Sequence, residues 1–178
     1  MTVETQAEAP WSVPVRLDEA LRGPQVRRLA PDAEARARIA KALNLVGLPA
    51  FEGEVRIRPW SDGAELDGRW SARAVYSCGL TLEPFEDALE GSFRLRVVLP
   101  DSPHAAPAEA QDELEIDPDA DDPPDVLEAG TIDFGAYLVE HLSLELDPFP
   151  RKPGAVFEPP PAEAPESPFA VLKALRKD

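Results

Sequence analysis

The chain has one cysteine, Cys78, in the stretch YSCGLTLEPFED, and two histidines, His104 and His141. These are its only soft nucleophile and its only imidazoles, so their placement decides whether thiol chemistry is on offer. A reactive thiol needs an electropositive, partly exposed site, usually with an imidazole in reach. Cys78 instead closes an alternation of Trp70, Ala72, Ala74, Tyr76, Cys78 and Leu80, which places it on the apolar face of a strand. Such neighbours are expected to raise a thiol pKa, and the residues favour a packed core cysteine. A Cys78–His141 dyad is the weaker alternative.

Metal and phosphate chemistry find less support. One Cys and two His cannot supply four N or S ligands to a structural zinc, and no pair has finger-type spacing. The acidic run DPDADDPPD lacks the glycine and the bidentate glutamate that an EF-hand loop requires. There is no glycine-rich phosphate cradle and no GxSxG elbow. The expectation is a protein without cofactor or metal and without a catalytic residue.

Arginines offer a different chemistry. By strand parity Arg56, Arg58, Arg69, Arg73, Arg94 and Arg96 point away from the apolar face of three successive strands. If those strands pair, one outer face carries six guanidiniums, enough to lie along phosphates in a salt-dependent manner. Glu54, Glu65, Asp67 and Glu90 fall on the same faces, and cross-strand neutralisation is the competing reading. Arg27, Arg28, Arg36, Arg38 and Lys41 extend the patch or form a solvated face.

The elements that must position these residues can be read from pattern. WSVPVRL alternates Trp11, Val13, Val15 and Leu17, and Pro14 assigns that strand to an edge. A helix is predicted over Pro31–Asn44, with Pro31 at its first turn, Gly47 beyond its end, and Ala35, Ile39, Ala42 and Val46 as its buried stripe. Strands follow in EVRIR, RWSARAVYSCGL and SFRLRVVL, with short connections that favour antiparallel pairing. Thr131 or Asp133 caps a second helix, Asp133–Leu144, with Val139, Leu142 and Leu146 on one stripe and Pro148 and Pro150 beyond its end. SPFAVLKALRKD reads as a short amphipathic helix that presents Phe169, Leu172 and Leu175 to a partner groove or to its own domain. The expected fold is α+β: an antiparallel sheet, open or curled toward a barrel, covered by the two longer helices.

Composition sets the bounds. At 178 residues and 43% hydrophobic content the chain suits one domain, over residues 11–153, after a flexible start at 1–10. A proline-rich linker, 154–166, precedes the closing helix at 167–178. No stretch approaches membrane-spanning length and MTVETQAEAPW does not resemble a signal peptide, so a soluble cytoplasmic protein without membrane contact is expected. The net charge of −16 is local: from Asp101 to Gly130 there are eleven carboxylates and no Lys or Arg. That stretch, 101–128, reads as a solvated mobile loop.

CGLTLEP together with TIDFGAYLVEHLSLELDPFPRKPGA resembles the YceD-like family, the large ribosomal RNA subunit accumulation proteins of bacteria and plastids. Cys78 matches the first cysteine of that family's Cys-x-x-Cys-Leu-Glu-Pro segment, Thr81 stands in place of the second, and Leu82, Glu83 and Pro84 continue it. Ile132, Asp133 and Gly135 match the helix start, with Phe134 in the leucine place, and Pro148 and Pro150 match the Pro-x-Pro. SPFAVLKAL resembles the tail of the alphaproteobacterial branch. The resemblance implies a non-enzymatic role in accumulation or processing of large-subunit ribosomal RNA during ribosome biogenesis. Two modes of binding fit: RNA or a pre-ribosomal particle on the arginine face, or a basic ribosomal protein on the acidic loop. An adaptor without RNA contact and an enzyme built on Cys78 are the alternatives.

Overall fold

The computed structural model describes residues 9–105, 122–127 and 129–157. It is an open α+β architecture whose centre is a meander of three long strands, β3 (Gly47–Trp60), β4 (Gly63–Ser77) and β5 (Pro84–Val98). The meander is flanked by β2 (Gln25–Leu29) on one side and β6 (Asp125–Val126) on the other, in the order β2-β3-β4-β5-β6. All pairings are antiparallel except β5 with β6, which is parallel. β2 and β6 do not pair with each other, so the sheet does not close into a barrel. A separate two-stranded sheet joins β1 (Pro14–Arg16) to β7 (Thr131–Asp133). The helices are α1 (Leu17–Ala20), α2 (Ala33–Ala42) and α3 (Phe134–Glu145).

Parity organises the meander as the sequence predicts. Val55, Ile57, Leu66, Trp70, Ala72, Ala74, Tyr76, Phe93 and Val97 are buried on one face, beneath α2 and α3. Size is matched along the rows. Gly53, Trp70 and Gly91 share one row, and Val55, Gly68 and Phe93 the next. A side chain at Gly53 would meet Leu138 of α3 at 2.6 Å, and one at Gly68 would enter the Phe93 ring. The glycines are therefore gaps into which large neighbours fit, each buried aromatic contributing about 1.5–3 kcal/mol by removal from water.

The N-terminal alternation holds, with Trp11, Val13 and Val15 half-buried and Leu17 buried, although regular pairing is limited to Pro14–Arg16. α2 is shorter than predicted. Asp32, not the region of Pro31, is its N-cap and accepts from the Ala35 N–H at 2.8 Å; Asn44, at φ 55°, takes the left-handed position expected of Gly47. Gly47 instead opens β3, and Val46 is 60% exposed while Ala40 fills the buried stripe that Ala42 was expected to complete. β2 went unread as a strand because QVRRL has little apolar content to alternate. Asp133 rather than Thr131 caps α3, which runs one residue past the predicted Leu144. The acidic stretch is not wholly a loop: Asp125 and Val126 form β6 and Leu127 is buried. Residues 106–121 and the segment with Phe169, Leu172 and Leu175 lie outside the described residues.

Replacing Gly68 with alanine is expected to cost about 1–3 kcal/mol in urea unfolding, because the added methyl overpacks against Phe93. The same change at Gly47, whose nearest neighbour would be 3.9 Å away, is expected to stay within about 0.5 kcal/mol of wild type.

Candidate functional site

The charged face of the meander is built by register. Arg56, Asp67 and Arg94 form one cross-strand row, and Arg58, Glu65 and Arg96 the next. Glu54, Arg69 and Ser92 form a third, with Arg28 of β2 opposite Glu54. The structure thus brings Arg56, Arg58, Arg69, Arg73, Arg94 and Arg96 to one surface, and adds Arg28 of β2, one of the residues that the sequence offered as an extension of that patch. The carboxylates lie between them. Arg94 pairs with Asp67 at 3.3 Å, Arg58 with Glu65 at 3.3 Å, Arg96 with Glu65 at 3.8 Å, and Arg56 and Arg28 both with Glu54, at 3.3 and 3.0 Å. Hydrogen bonds from Arg28, the stronger influence, and from Arg56 hold the Glu54 carboxyl below its ordinary pKa.

Arg73 pairs with Glu86 at 2.6 Å, a carboxylate that the sequence reading did not name, and Glu90 makes no ion pair among the described residues. Arg69 also has none among the described residues. Each exposed pair contributes on the order of 0–1 kcal/mol, so the network orients side chains more than it stabilises the fold. Its larger effect is on the field. Six carboxylates, Glu52, Glu54, Glu65, Asp67, Glu86 and Glu90, share the face with seven guanidiniums, and the surface is close to neutral.

At the β3–β4 turn the Arg96 guanidinium lies 4.8 Å from the centre of the Trp60 ring, which also packs against His104. Ser61, at φ 51°, shares a 2.7 Å hydrogen bond with His104 Nε2, and Ser102 donates to Asp62 at 3.0 Å. A hydroxyl beside an imidazole is half of a nucleophilic device, but no carboxylate among the described residues orients this ring. The contacts tether the hairpin tip to residues 102–104. His141 is elsewhere, stacked on Phe93 with ring centres 4.2 Å apart, and burial lowers its pKa. Beside it, Tyr137 donates to Asp125 at 2.9 Å, and burial, with that carboxylate, raises the phenol's pKa.

Cys78 has no exposed surface, and no imidazole is among its bonded neighbours. The expectation that its surroundings raise its pKa is overturned. The thiol is lowered to about 6, first by the Thr81 hydroxyl and then by the Lys152 N–H, with the Thr81 and Leu80 N–H groups assisting against burial. Leu80 and Lys152 N–H groups approach Sγ at 3.4 Å each. The apolar strand stops at Ser77, and the chain turns so that amides, not methyl groups, meet the sulfur.

The remaining motif residues are architectural. Gly79 N–H donates to Pro150 O at 2.8 Å, Cys78 N–H to Glu83 O at 2.9 Å, and Lys152 Nζ to Glu83 at 2.8 Å. Leu82 closes this turn at φ 59° with its side chain 78% exposed. Pro84 starts β5, and Pro148 lies beyond the end of α3. Asp133 accepts from Val13 N–H at 2.8 Å, Ala136 N–H at 3.1 Å and Ser12 Oγ–H at 2.6 Å, so one carboxylate caps α3 and ties it to Ser12 and Val13, just before β1. Ile132 is fully buried, and Gly135 lets the helix approach the chain at Trp11, whose carbonyl would lie 2.7 Å from an added Cβ. Among the described residues no cluster of three or more His, Cys, Asp or Glu could hold a metal, and no helix is long and apolar enough to cross a membrane.

A family model described as large ribosomal RNA subunit accumulation protein YceD matches residues 66–176, from β4 onward. No curated protein and no solved structure matches the chain.

Because the folded thiol is lowered to about 6, its ionisation adds stability that is fully present above the ordinary thiol range and is lost as pH falls through 6. Unfolding midpoints should therefore rise between about pH 6 and 9, and Cys78→Ser should flatten that rise. Thr81→Val should shift the thiolate absorbance transition upward without exposing the sulfur to alkylation.

Proposed function

The chain belongs to the YceD family of large ribosomal RNA subunit accumulation proteins, and on that premise we propose that it is a non-enzymatic ribosome-biogenesis factor that acts in the cytoplasm by binding. The observation that carries the mode of binding is the neutralised sheet face. Five of the six candidate arginines already face carboxylates on neighbouring strands, so the one surface rich in guanidinium presents little net positive potential. The largest run of one charge sign in the sequence lies instead at Asp101–Gly130, with eleven carboxylates and no Lys or Arg. A basic ribosomal protein is the partner that this distribution favours, since opposite charge speeds encounter and selects against RNA.

A second reading has its own support. Arg69 lacks an ionic partner among the described residues, and Arg96 over Trp60 resembles the cation-on-aromatic surfaces that stack bases. On this reading phosphates displace carboxylates along the Arg56–Asp67–Arg94 row.

The immobilised intact chain is expected to retain basic large-subunit proteins at about 50 mM salt and to release them by about 300 mM. Deletion of residues 106–121 should abolish retention; unchanged retention would sink the protein-partner reading. For the RNA reading, gel shift with large-subunit RNA fragments should show affinity falling with salt, with the log–log slope reduced by about 2 when Arg69 and Arg96 become Gln. No shift even at low salt removes that reading.

A further inference from the structure

β5 is 15 residues long, but β6 pairs only with its last two, Val97 and Val98. The direction of its remaining backbone groups follows from two hydrogen bonds. Val98 O accepts from Leu127 N at 2.8 Å, so even-numbered residues turn their N–H and C=O away from β4. The Ala88 N–H agrees, since it is taken by the side chain of Asp87 at 2.9 Å rather than by β4. The register between β4 and β5 runs without a shift from Ala64↔Val97 to Ser77↔Pro84, so the alternation is unbroken. Glu90, Ser92 and Arg94 therefore direct main-chain donors and acceptors outward, and no strand pairs with them among the described residues.

The stretch that carries this edge, LEGSFRL (89–95), is chemically complementary to itself when reversed. Antiparallel pairing of two copies with Ser92 on the two-fold axis sets Glu90 opposite Arg94 of the second copy, twice. On the other face it sets Leu89 opposite Leu95, and Gly91, whose own space the Trp70 ring fills, opposite Phe93, so the apolar contact between copies rests on the two leucine pairs. Leu89 and Leu95 are only partly covered in the single chain, so apolar surface remains to be buried. Neighbouring registers do worse: an axis through Glu90 or through Arg94 puts like charges face to face, and an axis through Gly91 sets Asp87 against Leu95. The edge is also delimited. Asp87 spends its carboxylate on the adjacent N–H, and Pro84 has no donor, which are devices that stop open-ended pairing.

We propose that this protein forms a two-fold homodimer by antiparallel pairing of the β5 edge, centred on Ser92, which continues the five-stranded sheet of one chain into that of the other. The interface is short, a single strand pair, and belongs to the weak, concentration-dependent class. Both copies keep their charged sheet faces on the same side, so the dimer doubles the surface described above.

Sedimentation of the full chain at about 10–500 µM tests it. The expected result is a rise from monomer toward dimer with concentration. Ser92→Pro, which removes an outward N–H and leaves the β4 ladder intact, should keep the chain monomeric. Glu90→Arg should weaken association by about tenfold by placing guanidiniums opposite one another, and adding Arg94→Glu should restore it. Register has its own readout: under mild oxidant Ser92→Cys should crosslink to dimer, because paired residues lie about 5.5 Å apart between Cα atoms, whereas Glu90→Cys should not. A chain that stays monomeric throughout, association indifferent to Ser92→Pro, or equal crosslinking at both positions overturns the proposal.

Discussion

The shift-free register between β4 and β5, extended to β3 from Ala50 onward, is the constraint on which this structure depends. Strand side chains alternate, so a slip of one residue would exchange the two faces entirely. With the register held, the central core rows set large residues against glycines, as in Gly53, Trp70 and Gly91 and in Val55, Gly68 and Phe93. The outer rows beside them combine opposite charges, as in Arg56, Asp67 and Arg94 and in Arg58, Glu65 and Arg96. The two patterns reinforce each other. A slipped meander would bury guanidiniums and place Phe93 against a filled position, and each error alone would cost several kcal/mol.

The residues that mark the family make contacts between elements at the two ends of this frame. At one end the turn after β4 is joined to the segment beyond α3 by Gly79–Pro150, by Cys78–Lys152 and by Glu83–Lys152. At the other, Asp133 joins α3 to Val13, just before β1. Cys78 combines a lowered pKa with complete burial. Amide and hydroxyl donors favour the thiolate, yet the same donors enclose it and leave no path for an electrophile. Acidity and accessibility are separate properties, and only their coincidence makes a nucleophile.

The fold was legible where period and burial coincide. Alternation in β3, β4 and β5 predicted both faces correctly because each strand has one wet side and one dry side. It failed where a few residues borrow order from elsewhere. β2 and β6 pair with strands far along the chain and have almost no apolar pattern of their own, so nothing local announces them. The ends of α2 depended on Asp32 and Asn44, whose capping roles compete with the equally plausible signals of Pro31 and Gly47. For the site, parity placed the arginines on one surface but could not say which carboxylate each would meet. Arg73 reaches diagonally to Glu86, and that choice depends on sheet twist and rotamer. The thiol's low pKa was illegible for a related reason: the Thr81 hydroxyl, its largest cause, reaches the sulfur only through the turn after β4, and the Lys152 amide that assists it is 74 residues away.

Charge is partitioned by distance along this molecule. On the sheet it alternates within one strand spacing, about 5 Å, so its field cancels beyond a Debye length of about 8 Å and acts only at contact. At Asp101–Gly130 it has a single sign and acts over the full range that salt allows. On the binding role proposed above, a partner approaching from solution would meet the field of the acidic stretch first and the patterned face, with its fixed donors and acceptors, only at contact. An alternating face cannot attract an anion from afar, but once the anion is held by other contacts it can be read residue by residue. Long-range attraction and short-range recognition would then fall to different parts of the chain.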